Sequence, residues 1–226
     1  MKDQYFGDFG DYQKVSLLRQ LAAAELKVLV YWMKTENDAS TDGKHITYLD
    51  KPETWRSFDP EIYDFLQSKI RTEPRSLQHI EQSAYCAGIE FLNESIETTV
   101  TRENSLRHLV ASDSDIVLFD PDNGIEVAST TGRTIHKYVT WAELASAFTS
   151  GKSLIVYQHF SRTARESFIE DKAREIKKRI GCSLVSVQVR HSVYFFLIQE
   201  RHEKAVQSAI TAFAQTWKQL AEIRKH

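Results

Sequence analysis

The run Asp115-Ile116-Val117-Leu118-Phe119, closed at once by Asp120-Pro121-Asp122-Asn123-Gly124, constrains this chain more than any other stretch. An apolar run of that length, with neither alternation polar, predicts a strand covered on both faces, as parallel strands are. The five residues that follow can continue neither a strand nor a helix, so the backbone must turn there.

The same signature recurs. Lys27 to Trp32 predicts a first buried strand, and Lys152 to Tyr157 another that ends at Gln158-His159. Between such runs the apolar positions recur at helical spacing. Val15, Leu17, Leu18, Leu21 and Ala22 predict an amphipathic helix over residues 11–25. Asp59-Pro60 predicts a helix start with Asp59 as N-cap, running to about Lys69. Helices are also expected over 75–86, 101–111, 141–148 and 162–180, the last closed by Gly181, with a C-terminal helix from near Glu203. A strand is expected at 88–92, and residues 183–198 read as strand, brief turn near Arg190 to Ser192, and strand. Strands alternating with helices predict one α/β domain over 1–226: a mostly parallel Rossmann-like sheet with helices on both faces and a C-terminal antiparallel hairpin.

Composition narrows what such a domain does. With 42% hydrophobic and 27% charged residues, and 8 Gly and 4 Pro in 226 residues, the chain is an ordinary globular one. Its formal net charge of -2 supplies no general field favouring nucleic acid or an anionic membrane. A nucleic-acid role would need a local basic patch, for which the candidate is Arg162, Arg165, Lys172, Arg174, Lys177, Lys178 and Arg179; a solvated helix face explains the same residues. Cys86 and Cys182 match no metal-ligand spacing and read as buried thiols. No apolar stretch approaches the ~20 residues that span a bilayer, and the N-terminus has no signal-peptide core, so a cytoplasmic protein is expected.

Ligands of open parallel sheets bind beyond the carboxyl ends of the strands. Three such ends are polar here: the 35–45 loop, the Asp120 to Gly124 turn, and Tyr157-Gln158-His159-Phe160-Ser161-Arg162. Asp120, Asp122 and Asn123 sit on a short turn stiffened by Pro121, which suits a ligand site and equally suits a plain turn. His159 and Arg162 should share their edge, where the imidazole could transfer protons or bind metal. Before the first helix, Tyr5 to Lys14 combines aromatic rings, glycines, Asp8, Asp11 and Lys14; its backbone amides could hold a phosphate or carboxylate, while Asp11 could be a plain N-cap. Neither glycine-rich nucleotide fingerprint is present.

The order of these features resembles the small class I methyltransferases that modify adenine N6 in large-subunit ribosomal RNA, and more loosely the wider adenine-N6 methyltransferases. Gly7 to Lys14 is similar to that family's glycine- and aspartate-bearing helix start, Val28 to Trp32 to its first strand, and Asp120-Pro121-Asp122-Asn123 to its Asp-Pro-Pro-Tyr catalytic turn. Leu154 to His159 and Ser183 to Ile198 are similar to its following strand and late hairpin. The resemblance implies S-adenosylmethionine held by Asp8, Asp11, Lys14, Glu36 and Asp38, and catalysis on nucleic acid or a nucleotide by Asp120, Asp122, Asn123, His159 and Arg162. The loop Met33 to Asp38 lacks the family's paired glycines, and Asn123 replaces the ring that stacks on a flipped base. Two rivals follow from the same residues. One is a nuclease or phosphohydrolase binding Mg²⁺ or Mn²⁺ through Asp120, Asp122 and His159. The other is a binding module without catalysis, using Tyr5, Phe6, Tyr12 and the 162–179 helix.

Overall fold

A computed structural model describes residues 1–38, 43, 45–160 and 164–226. Its sheet has seven strands in the order β2-β1-β3-β6-β8-β7-β9. The buried runs form the centre: β1 (Val28–Tyr31), β3 (Ile116–Phe119) and β6 (Ser153–His159), joined at one side by the short β2 (Glu90–Leu92), and these four run parallel. The antiparallel part follows as β8 (Ser192–Ile198), β7 (Ser183–Val189) and β9 (Ala221–Lys225). The fold is therefore the mixed α/β sheet that the sequence predicts.

Alternation along each strand sorts the core into two layers. Val30, Leu118 and Ile155 pack with α1 (Phe9–Ala23), α3 (Pro60–Thr72) and α8 (Glu203–Thr216), whereas Leu29, Val117 and Leu154 pack with α5 (Thr99–Ala111), α6 (Trp141–Thr149) and α7 (Arg165–Ile180). Because β1, β3 and β6 are parallel and in register, with Tyr31 opposite Phe119 and Phe119 opposite Val156, the residues after all three strands leave the sheet at one edge.

Four local expectations are corrected. Helix α1 is not amphipathic at its start: every residue from Asp11 to Leu18 is buried, because α3 and α8 cover the side that would have faced solvent. The 75–86 helix is broken into α4 (Gln78–Glu81) and a 3-10 turn at Ala84–Cys86, divided at Ser83, whose hydroxyl donates to the Ile80 carbonyl. The Asp120 turn is followed directly by a two-residue strand, β4 (Gly124–Ile125), paired with β5 (Tyr138–Val139). Strand β9 was not foreseen; its Glu222, Arg224 and Lys225 are typical of an edge strand, which charge protects from further pairing. A short helix, α2 (Pro52–Trp55), completes the elements around the site. Cys86 and Cys182 are buried, unpaired thiols, each pushed up to about 11 by desolvation.

Candidate functional site

The carboxyl edge of the sheet carries two adjoining structures, a buried charge cluster and an open cleft. The cluster forms because α1 crosses the ends of β3 and β6. Asp8 rather than Asp11 is the N-cap, accepting from the Asp11 amide at 2.9 Å. Asp11 is thereby released to accept from the Gly7 amide at 3.0 Å, and it lies 3.0 Å from the Lys14 ammonium. Lys14 also donates to Asp120 at 2.8 Å, and its charge lies 4.8 Å from the centre of the Tyr157 ring.

Two carboxylates thus share one ammonium in a dry setting. Burial alone would push Lys14 down, but Asp120 and then Asp11 outweigh it, leaving the ammonium well above its ordinary value. Desolvation pushes Asp11 up to about 7 against the opposing pull of Lys14.

Asp120 is 2% exposed and does not reach the cleft. Asp122 is covered as well: its carboxylate lies 2.7 Å from the Met1 amino nitrogen, which donates to the Met33 carbonyl at 3.0 Å. Residues 1–4 continue across the loop after β1. The Thr35 amide donates to the Met1 carbonyl at 2.8 Å, Lys2 pairs with Asp38, and the Gln4 and Asp38 amides complete the seam. Glu36 is exposed, and its backbone amide donates to Glu97 Oε1 at 3.0 Å. Asn123 is exposed and acts through its backbone, with its carbonyl accepting from Gln158 Nε2 at 2.9 Å. Arg162 lies outside the described residues.

The cleft has a volume of about 410 Å³. The start of α1 contributes Asp8, Phe9 and Gln13; the segment through α2 contributes Tyr48, Lys51 and Trp55; β6 contributes Tyr157 and His159; the β7–β8 turn contributes Arg190; and β8 contributes its first residue, Ser192. Gly10 lets α1 approach β6, since a Cβ there would stand 2.9 Å from the Tyr157 hydroxyl. Tyr157 therefore touches both structures, with Lys14 on one side and the cleft on the other. His159 crosses Tyr157 edge-on at 4.9 Å, and its pKa is held below the ordinary imidazole value, first by desolvation and then by Lys14.

Among the expected residues, the structure brings Asp11, Lys14 and Asp120 into one cluster and Asp8 and His159 into the neighbouring cleft, and leaves Glu36, Asp38 and Asn123 apart from both. Gln13, Lys51, Trp55, Tyr157 and Arg190 were missed. Tyr157 read as the last strand residue and the start of a polar strand end without a role of its own, and Arg190 read as a turn residue. The metal-ligand set is not assembled: Asp120 and Asp122 are engaged by Lys14 and Met1, and the described residues contain no group of three His, Cys, Asp or Glu side chains able to hold an ion. Phe6 and Tyr12 are fully buried, so a partner cannot dock on them. Lys172 is also buried, and Lys172, Arg174 and Arg179 pair with Glu175 or Asp171, so half of the described basic run is balanced along α7. No helix among the described residues is long and apolar enough to cross a membrane.

No protein-family model matches the chain, and no curated protein matches it. Among solved structures it is similar to a Legionella pneumophila protein of family DUF519, with 8% identity, a TM-score of 0.48 and 97% of each chain covered. It is also similar to human methyltransferase-like protein 13 in complex with SAH, with 13% identity, a TM-score of 0.35, and 91% of this chain and 89% of that one covered.

Proposed function

We propose that this chain is a nucleotide- or nucleic-acid-directed enzyme whose ligand occupies the cleft and whose His159 transfers a proton. The observation that carries this reading is the composition of the cleft walls: Phe9, Tyr48, Trp55 and Tyr157 supply ring surfaces, Arg190 and Lys51 supply positive charge, and an imidazole stands at the strand end. A nucleobase with its phosphate matches all three, by stacking, by charge and by having an edge for proton exchange. Held below its ordinary pKa, His159 is neutral at pH 7 and able to accept a proton from a reacting group. Asp120 does not touch the ligand in this reading. It positions Lys14, which packs against Tyr157.

The end of β1, where the resemblance would place S-adenosylmethionine, is spanned by residues 1–4, which bond to the Met33 to Asp38 loop. The test is incubation with nucleotides and short single-stranded oligonucleotides, with products read by mass spectrometry. Turnover should appear in the wild type and fall about 10²- to 10⁴-fold in His159→Ala. Equal turnover in that variant, or no binding of any of these ligands, would refute the proposal.

A second reading, a binding module without catalysis on the same cleft, is favoured by the burial of Asp120. Its mark would be oligonucleotide binding with no product, unchanged in His159→Ala.

A further inference from the structure

Arg190 sits in the turn between β7 and β8 with φ 53°, a left-handed conformation that glycine or asparagine adopts with less strain. A strained backbone held by an ordinary residue directs attention to what its side chain does. Its guanidinium lies over Phe9 at 4.8 Å and over Trp55 at 4.6 Å, both on the cleft wall. No carboxylate among the described residues pairs with it; its Nε points to His191 Nε2 at 3.1 Å. Two aromatic faces hold the guanidinium plane, leaving donors at its edge for a forked acceptor.

A second observation points to the same place. Gln13, on the first turns of α1, is 1% exposed and lines the cleft, and its Nε2 has no hydrogen-bond partner. Its Oε1 lies 3.4 Å from the Ser192 hydroxyl, whose one proton is shared with the Val189 carbonyl at 3.4 Å, and the unmet group is the donor Nε2. A buried donor without an acceptor is unusual in a native interior, and an acceptor arriving from the cleft would satisfy it. The start of α1 adds the positive end of a 15-residue helix, and Lys51 adds an exposed ammonium. Asp8 is the opposing charge in the cleft, and its carboxylate is already occupied in capping α1.

We infer that Arg190 and Gln13 form a phosphate seat in the cleft, so that the ligand taken there is a phosphate ester and not a bare nucleoside. The inference rests on the nucleotide-directed reading above and names the part of the ligand that anchors it. Lys51 contributes charge at the rim, where it is exposed, whereas Arg190 and Gln13 contribute direction.

The experiment is calorimetric titration of the full chain with adenosine 5′-monophosphate, adenosine and inorganic phosphate, in the wild type, in Arg190→Gly and in Gln13→Leu, with a melting curve for each protein. The monophosphate should bind the wild type about tenfold or more tightly than adenosine, as charge-assisted hydrogen bonds provide. Both variants should lose that advantage. Arg190→Gly should melt close to the wild type, because relief of the turn offsets the lost stacking, which separates a ligand role from a structural one. Equal affinity for adenosine and its monophosphate, or a ratio unchanged in either variant, overturns the phosphate seat and leaves the nucleotide reading standing. Phosphate binding that depends on Arg190, with adenosine adding nothing to it, supports the seat and removes the nucleobase. Absence of binding by all three probes removes both.

Discussion

Among the described carboxyls Asp11 is the one whose pKa is raised, and the consequence is a dependence of stability on pH. Its carboxyl is pushed up to about 7 in the folded protein, from an ordinary value of 3.8. A folded-state pKa above the unfolded one means that the native state holds the proton more tightly. The contribution is complete below about pH 4 and is lost as the pH rises towards 7. Removing the charge removes the dependence: Asp11→Asn should flatten the stability profile between pH 4 and 7 relative to the wild type, measured by urea unfolding at a series of pH values. An unchanged slope would show that Asp11 is not the titrating group. Asp11 illustrates what the sequence hides. Read along the chain it was a cap candidate, and its neighbour Asp8 took that task, because which of two nearby acids caps a helix depends on where the helix begins.

At the scale of elements, the junction between the Asp120 turn and the sheet is set by one side chain. Gln158, at the end of β6, accepts from the Ile125 amide at 2.8 Å and donates to the Asn123 carbonyl at 2.9 Å, clamping β4 beside the strand. The clamp needs Gly124, whose φ is +95° and whose absent Cβ would fall 2.1 Å from Gln158 Oε1. Gly124→Ala should therefore cost about 2–4 kcal/mol, combining overpacking with backbone strain, and chemical denaturation would measure it. A cost below about 1 kcal/mol would mean that the turn relaxes freely. The strands β1, β3 and β6 were legible because an uninterrupted apolar run admits few alternatives. The polar β9 and the broken 75–86 segment were not, because partners distant in sequence decide them. Likewise His159 was legible as a polar residue ending a buried strand, whereas Trp55 and Arg190 reach the cleft through tertiary packing that no local pattern encodes.

At the scale of the whole molecule, Lys14 fastens the N-terminal helix to the middle of the sheet across 106 residues of sequence. Lys14→Met keeps the volume and leaves two carboxylates buried without their cation, so a loss of about 3–5 kcal/mol is expected at neutral pH, measured by thermal or urea unfolding. A second substitution, Asp120→Asn, should recover part of that loss, which a simple packing defect would not allow. Because the Tyr157 ring is the partition between this ammonium and the open side of the molecule, crowding that ring from outside alters the setting of a charge held within. Occupants of the two sides are thus thermodynamically linked: a molecule that tilts the ring would be registered as a change in melting temperature even where it forms no bond to the helix.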